Sequence, residues 1–327
     1  MLRRLHAGLM AFSALVLSSP APLSAQGQAS YPSQSIKFIV PYAAGGLPDT
    51  VARIVGQRLE ERLGRSVVID NRPGANGSVA AAAFATTPAD GYTFMVTDGS
   101  LLSINPHLQA KLSYDPNKDF VPVALLARAP LFLALHPNVP VGSMKEFIDY
   151  VRARPGEINY GSSGVGSTHH LSMEAIKASL KLQMSHVPFR GTGQSVPALL
   201  GGHVQVLFSA YPSLKGFAED GRVKLIATNG AERSPQAPNV PAIAEFIPGF
   251  EFAPLVGIFA PAGTPQEAIQ KIAAESVAVV KLPEAVKQLA VAGIEPVGLG
   301  PQEYARAIAA ENERVKKVVE SAGLKPE

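Results

Sequence analysis

Two glycine-rich segments contain the residues of this chain that are best placed to do chemistry. Loop 1, defined as Tyr42–Gly46, and loop 2, defined as Gly161–Thr168, each follow an apolar stretch and precede a helical pattern. A loop in that position can present free backbone N–H groups at the positive end of a helix, which favours an anion. Loop 2 adds the hydroxyl groups of Ser163, Ser167 and Thr168. Neither loop contains a lysine or an arginine, so the pattern indicates reversible binding of a small anion by neutral donors.

The two loops also have a purely structural interpretation, and at this point both interpretations stay open. A glycine-rich turn between a strand and a helix is needed simply to let the helix pack against its sheet. Two such loops in separate halves of one chain make a binding role about as well supported as the structural one. If the anion is a carboxylic acid with a second carboxylate at its far end, Arg190 could bind that group, although an arginine beside a glycine turn is commonly solvated.

Three other kinds of chemistry have weaker support. His169 and His170 are adjacent and therefore diverge by about 100° on a helix, which disfavours a shared metal ion. The nucleophile pattern Gly-x-Ser-x-Gly fails around Ser163 because Val165 occupies its last position. The run Gly164–Gly166 lacks the third glycine and the downstream acid of a dinucleotide fingerprint. We therefore predict no metal, no cofactor and no enzymatic activity.

The elements around loop 1 follow a strand–helix–strand pattern. Ile36–Val40 reads as a buried strand, and the helix after loop 1 begins near Pro48 and stops at Gly64. Further strands are expected at Val67–Ile69 and Tyr92–Thr97. This βαβαβ unit predicts an α/β lobe, in which ligands bind beyond the carboxyl ends of the strands.

The second half of the chain repeats this arrangement after a long apolar stretch. Val121–Leu135 could hold a strand that crosses from one lobe to the other, and the chain returns near Phe250. We expect a two-lobed α/β fold in which each lobe has a mixed, mostly parallel sheet flanked by helices, with hinge strands between the lobes. The predicted limits are residues 26–127 with 250–327 for domain 1 and residues 128–249 for domain 2.

The first 25 residues predict export. Arg3 and Arg4 precede the apolar run Leu9–Leu17, and small residues follow up to Ala25, as in a secretory signal peptide. This places the mature protein in the periplasm. No later stretch is long and apolar enough to cross a bilayer. The chain has no cysteine, which excludes disulfides, thiolate metal sites and cysteine nucleophiles. Without the signal peptide the chain is nearly neutral, so its charge predicts no nucleic-acid partner.

Several longer strings resemble one known family. They are Pro41–Asp49, Asn71–Gly77, Tyr160–Leu171 and His186–Gly191. With them, the chain resembles the Bug (Bordetella uptake gene) or TctC family, the extracytoplasmic receptors of tripartite tricarboxylate transporters. The resemblance spans nearly the whole mature chain.

The resemblance implies a periplasmic-binding-protein fold, type II-like, whose lobes close over a small carboxylic acid. It also implies a grip on one carboxylate by both loops and by water, and a membrane permease as the partner of a monomeric receptor. In the family, Phe and Pro often stand where this chain has Tyr42 and Ala44, which changes the shape of the pocket. The residues carried over as ligand-binding are Tyr42, Ala44, Gly45, Gly46, Asp49, Ser100, Ser163, Ser167, Thr168, Thr192 and Ser209.

The sequence also allows two functions other than that of a transport receptor. A periplasmic subunit that delivers its ligand-closed form to a signalling kinase would show the same fold and the same site. An exported serine hydrolase would need a histidine and an acid aligned with Ser163.

Overall fold

A computed structural model describes residues 31–326. The predicted signal peptide, residues 1–25, lies outside the described residues. The strands, in chain order, are β1 (Ile36–Val40), β2 (Val67–Asn71), β3 (Thr93–Asp98), β4 (Phe120–Arg128), β5 (Leu131–Leu135), β6 (Asn159–Ser162), β7 (Ser185–Pro188), β8 (Val206–Ala210), β9 (Lys224–Thr228), β10 (Leu255–Pro261) and β11 (Glu295–Leu299). The helices are α1 (Leu47–Leu63), α2 (Ser78–Ala85), α3 (Asn105–Leu108), α4 (Met144–Arg152), α5 (Thr168–Leu180), α6 (Thr192–Leu200), α7 (Tyr211–Glu219), α8 (Gln266–Val279), α9 (Pro283–Val291) and α10 (Pro301–Ser321).

The strands form two mixed sheets, and the two-lobed α/β fold predicted from the sequence is confirmed. Sheet 1 has six strands in the order β11-β4-β10-β3-β1-β2, and we call the part built on it lobe 1. Sheet 2 has five strands in the order β7-β6-β8-β5-β9 and forms the basis of lobe 2. Helices flank both sheets.

The sheets are mixed, as predicted, but parallel pairings are not in the majority, since four of the nine strand pairings are parallel. Strands β1, β2 and β3 pair in parallel, as do β6, β7 and β8, but every pairing of β4, β5, β9, β10 and β11 is antiparallel. These antiparallel pairings arise because the chain passes from one lobe to the other. A strand that leaves a lobe ends at the cleft, whereas a strand that enters a lobe starts there, so neighbouring leaving and entering strands run in opposite directions.

Three segments connect the lobes. The chain passes from sheet 1 to sheet 2 between Arg128 and Leu131, and it returns between Thr228 and Leu255. Helix α10 forms the third connection, because Tyr304 near its start packs in a lobe 1 cluster while Val315 near its end packs in the lobe 2 core.

Local sequence explains how the helices beside the cleft begin and end. In α1, proline occupies the first turn, and the buried residues Val51, Val55 and Leu59 share one face. Gly64 ends this helix in the left-handed region, with φ of 63°. Ser167 caps α5 by accepting a hydrogen bond from the His170 backbone N–H. These residues determine where α1 begins and ends and where α5 begins.

Among the described residues, no helix is long and apolar enough to cross a membrane.

Candidate functional site

A cavity of about 830 Å³ lies in the cleft between the two lobes. Its wall combines the carboxyl ends of β1, β3, β6 and β8, and the segments that follow them, with the segments that connect the lobes. Lobe 1 contributes residues from loop 1, α1, the end of β3 and α3, and lobe 2 contributes loop 2 and the first turns of α5, α6 and α7. The cavity therefore sits where ligands of such sheets usually bind.

Loop 1 is shaped by the carboxylate of Asp49. This carboxylate accepts hydrogen bonds from the Gly45 backbone N–H at 2.8 Å, from Arg53 Nε at 2.9 Å and from Asn71 Nδ2 at 2.9 Å. Burial by itself would raise the pKa of Asp49, but the hydrogen bonds from Arg53, Gly45 and Asn71 outweigh burial and lower it. Asp49 thus stays ionised and uses the Gly45 N–H internally, so neither group is free for a ligand.

Tyr42 also bonds within lobe 1. Its hydroxyl donates to Asp98 Oδ1 at 3.0 Å, and the same oxygen accepts from the Ser100 backbone N–H at 3.0 Å. Asp98 lines the cavity. Burial raises the pKa of Asp98, and hydrogen bonds from Ser100 and Tyr42 offset part of that rise. Tyr42 therefore anchors the end of β1 to the end of β3.

Loop 2 is held by its own hydroxyl and imidazole groups. Ser167 Oγ donates to the Gly164 carbonyl at 2.7 Å, in addition to capping α5. The Gly166 backbone N–H donates to His170 Nδ1 at 3.1 Å, and Ser162 Oγ lies 2.7 Å from His186 Nε2. The hydroxyl of Ser167 is thus occupied by the backbone of the loop itself.

Three stacked aromatic rings lie against loop 2 and help to hold it in place. The rings of His170 and His186 stack with centroids 4.0 Å apart, and Tyr160 stacks on His186 at 4.8 Å. Tyr160 also donates a hydrogen bond to Glu174, whose carboxylate accepts from Lys177 Nζ at 2.6 Å. Sequence reasoning missed this stack because its members come from β6, α5 and β7. Within the described residues, no group of three or more His, Asp or Glu side chains is arranged to hold a metal ion.

Ser163 and His169 form a pair at the cavity wall. Ser163 Oγ lies 2.8 Å from His169 Nδ1, and both residues line the cavity. The other ring nitrogen, Nε2, has no hydrogen-bond partner within the part of the chain that the structure describes. The acid that a serine hydrolase needs behind its histidine is therefore missing from this pair.

The structure brings together about half of the ligand-binding residues carried over from the family resemblance. Without a bound ligand, the role of each in binding stays a prediction. Those on the cavity wall are Gly45, Ser100, Ser163, Ser167, Thr168 and Thr192. Those placed off the wall are Tyr42, Ala44, Gly46, Asp49 and Ser209, the last of which is fully buried in β8.

The wall has a polar part and an apolar part. Asn76, Asn105 and Gln109 bring side-chain amides from lobe 1, and sequence reasoning did not single them out. Asn76, whose φ is positive, donates from its Nδ2 to Oδ1 of Asn105 in α3 at 2.9 Å. The apolar part comes partly from the segments that connect the lobes, namely Ala129, Leu131 and Pro254, and partly from lobe 1, which contributes Ile104 and Ile294 among others.

No lysine or arginine of the described residues lines the cavity. Arg190, considered above as a partner for a second carboxylate, is exposed and does not line it. The donors that this wall can offer to an anion are hydroxyl groups, side-chain amides and backbone N–H groups. This wall is consistent with the neutral grip expected from the composition of the two loops.

The comparison with known families identifies the chain. A model described as the tripartite tricarboxylate transporter family receptor, TctC, matches residues 51–324. The chain belongs to the TctC family. Its described lobes, cleft and loops are therefore those of a TctC receptor, and the family resemblance stated from the sequence is confirmed.

Relatives of this TctC receptor cover almost its full length. Protein BugT of Bordetella pertussis is 32% identical over 307 residues, which are 93% of this chain and 93% of BugT. The structure of R. palustris Rpa4515 with adipate has a TM-score of 0.78 and 36% identity, and the match covers 91% of this chain and all of that one. MatC from Rhodopseudomonas palustris with bound malate has a TM-score of 0.72 and 31% identity, covering 88% of this chain and all of MatC. The chain is thus a solute-binding receptor of the periplasmic type.

Proposed function

We propose that this receptor captures a small carboxylic acid in the periplasm and delivers it to the membrane permease of a tripartite tricarboxylate transporter. The observation that carries the proposal is the cavity between the lobes, whose wall contains both glycine loops and lacks cationic side chains among the described residues. The adipate and malate bound to two similar structures support an acid as the ligand class. Export after cleavage near Ala25 is part of the same proposal.

The proposed mechanism is a shift from an open to a closed population. An acid that contacts both loops gains more contacts when the lobes approach each other, so binding favours the closed form. We propose residues 26–127 with 250–327 and residues 128–249 as the two parts that move. Because α10 packs in both lobes, we expect it to limit the amplitude of closure.

Titration calorimetry against a panel of acids tests the proposal. The panel contains aliphatic dicarboxylates, aromatic acids, nicotinate and amino acids, with a neutral sugar as the control. We expect binding of at least one acid and no heat from the sugar. Tight sugar binding together with no binding of any acid would contradict the proposal.

Replacing Thr168 with valine is expected to weaken acid binding by about three- to tenfold, because valine keeps the shape but removes one hydroxyl donor. Thr168 lines the cavity and is the first residue of α5. Calorimetry gives the affinity, and the midpoint of thermal unfolding should change little. The matched control is Thr86→Val, at an exposed position outside the cavity wall. Equal affinities in the wild type and Thr168→Val would remove this hydroxyl from the site.

Replacing Gly166 with alanine is expected to weaken acid binding by about five- to tenfold, because the added methyl group crowds the other lobe and opposes closure at a cost of about 1 kcal/mol. Gly166 has φ of 74°, and an added Cβ would lie 2.6 Å from Cδ1 of Leu108, which belongs to the other lobe. Calorimetry measures the loss.

Two further variants separate strain from crowding. Gly156→Ala imposes similar strain, with φ of 80°, at a site where nothing lies within 4 Å of the new methyl group. This control should leave the affinity unchanged. The second variant adds Leu108→Ala to Gly166→Ala and should recover part of the affinity. No recovery would show that contact between the lobes is not the cause.

A further inference from the structure

The direction of the hydrogen bond between Ser163 and His169 depends on which nitrogen of the imidazole carries the proton. The 2.8 Å contact between Ser163 Oγ and His169 Nδ1 can form with the proton on either atom. His169 Nε2 is shielded from solvent and has no hydrogen-bond partner among residues 31–326. The two tautomers of a neutral imidazole therefore differ in what is left unsatisfied at Nε2.

The tautomer with the proton on Nδ1 is favoured on energetic grounds. If the proton were on Nε2, a buried N–H group would have no acceptor, which is rare and costly in proteins. With the proton on Nδ1, that N–H donates to Ser163 Oγ, and only a lone pair stays unsatisfied at Nε2. An unsatisfied acceptor costs less than an unsatisfied N–H group.

This proton placement decides what Ser163 can offer to a ligand. When Ser163 Oγ accepts from His169, the hydrogen of the serine hydroxyl is not used by the imidazole. Ser163 lines the cavity, so this hydroxyl can donate toward its interior. With the opposite tautomer, the hydroxyl hydrogen would point at Nδ1, and the ligand would meet only lone pairs.

We propose that His169 is a positioning residue for ligand recognition, whose Nδ1–H group fixes the Ser163 hydroxyl as a hydrogen-bond donor to a ligand carboxylate. The proposal rests on the proposed function and adds a specificity-determining residue to it. A committed donor at this position favours an acid over the corresponding carboxamide, because a carboxylate oxygen always accepts whereas the amide NH₂ group only donates.

The charge state of His169 agrees with this role. Burial lowers the pKa of His169 to about 4, so the ring is neutral at the pH of ordinary binding experiments. A neutral ring has a single N–H group, and its position alone then decides the direction of the hydrogen bond with Ser163.

The first experiment reads the tautomer directly. Long-range ¹H–¹⁵N NMR spectra of the ¹⁵N-labelled full chain at pH 7 distinguish a protonated Nδ1 from a protonated Nε2, and His169→Asn assigns the signal. We expect a protonated Nδ1. A protonated Nε2 would overturn the proposal. Because this measurement needs no ligand, it stands apart from the test of the proposed function.

The second experiment measures affinity for an acid from the calorimetry panel and for its carboxamide. We expect His169→Leu and Ser163→Ala each to weaken acid binding about fivefold and to reduce the preference for acid over amide. The double variant should be no weaker than either single variant, because both remove the same interaction. His169→Asn can donate near the position of Nδ1 and should recover part of the acid preference.

Controls separate this role from a structural one. His203→Leu changes an exposed histidine away from the cavity wall and should leave both affinities unchanged. A merely structural role of His169 would lower the affinities for acid and amide alike, and this outcome would overturn the proposal. Additive losses in the double variant would overturn it as well. If the wild type binds no acid, the proposed function itself fails, whereas acid binding that is unaffected by His169→Leu removes only this inference.

Discussion

Replacing Asn229 with alanine is expected to lower the free energy of unfolding by about 3–5 kcal/mol, because it leaves a backbone N–H, a backbone carbonyl and a serine hydroxyl without partners. Asn229 is fully buried at the end of β9. Its Oδ1 accepts from the Leu131 backbone N–H at 2.7 Å, and its Nδ2 donates to the Phe252 carbonyl at 2.9 Å and to Ser172 Oγ at 3.1 Å. The Asn229 side chain therefore links α5 to both segments in which the chain passes between the lobes.

Urea unfolding followed by circular dichroism measures this loss. Asn138→Ala is the matched control, since Asn138 is exposed and its replacement should change the unfolding free energy by less than about 0.5 kcal/mol. Asn229→Asp keeps the acceptor for Leu131 but cannot donate to Phe252, so it should also destabilise. A loss below about 1 kcal/mol in Asn229→Ala would mean that water replaces the amide in the variant.

Replacing Glu311 with glutamine is expected to stabilise the protein above pH 7 by about 1–2 kcal/mol and to change little at pH 5. Glu311 lies on α10 against Gly99 and accepts a hydrogen bond from Ser103 Oγ at 2.9 Å. Burial and the nearby Asp98 raise the pKa of Glu311 to about 7, although the Ser103 hydrogen bond and Arg314 oppose the rise. Part of the Glu311 surface is exposed, so solvent screening reduces the effect of its charge on the free energy of unfolding.

The direction of the pH effect follows from the raised pKa. Between the ordinary pKa of a glutamate, about 4.3, and about 7, the folded protein binds more protons than the unfolded chain. The contribution of Glu311 to stability is therefore present below about pH 4 and is lost as the pH rises through 7. Glutamine stays neutral, keeps an acceptor for Ser103 and lacks this loss.

Thermal unfolding at pH 5 and pH 8 tests the Glu311 prediction. The difference between Glu311→Gln and the wild type should appear at pH 8 and nearly vanish at pH 5. Glu313→Gln is the control, because Glu313 is an exposed neighbour on the same helix. A variant that is equally or less stable than the wild type at pH 8 would show that Glu311 is ionised without cost in the folded protein.

Much of the architecture was accessible from sequence because it depends on local patterns. The sequence predicts the first helix from Pro48 to Gly64, and α1 spans Leu47–Leu63, since apolar spacing and a terminal glycine act within a few residues. The apolar stretch Val121–Leu135 predicts one strand that crosses between the lobes, whereas the structure divides it into β4 and β5, which lie in different sheets. Both glycine loops lie at the cleft and contribute to its wall. Their lack of cations was visible in composition alone.

What the sequence could not determine depends on partners that are distant along the chain. The pairing of Tyr42 with Asp98 spans 56 residues, and that of Ser162 with His186 spans 24. Asp49 and Ser167 carry polar groups that could face a ligand. In the fold, however, the Asp49 carboxylate accepts hydrogen bonds from Gly45 and Asn71, and the Ser167 hydroxyl donates to the Gly164 carbonyl of its own loop.

The sequence by itself thus determined the fold class, the positions of the two loops and their lack of cationic side chains. Only the tertiary structure decided which strands run antiparallel, which hydroxyl groups stay available to the cavity and how His169 meets Ser163. The physical reason is that backbone propensity and apolar periodicity are local. The partner of a polar side chain is instead selected by whatever donors and acceptors the completed fold brings within hydrogen-bond distance.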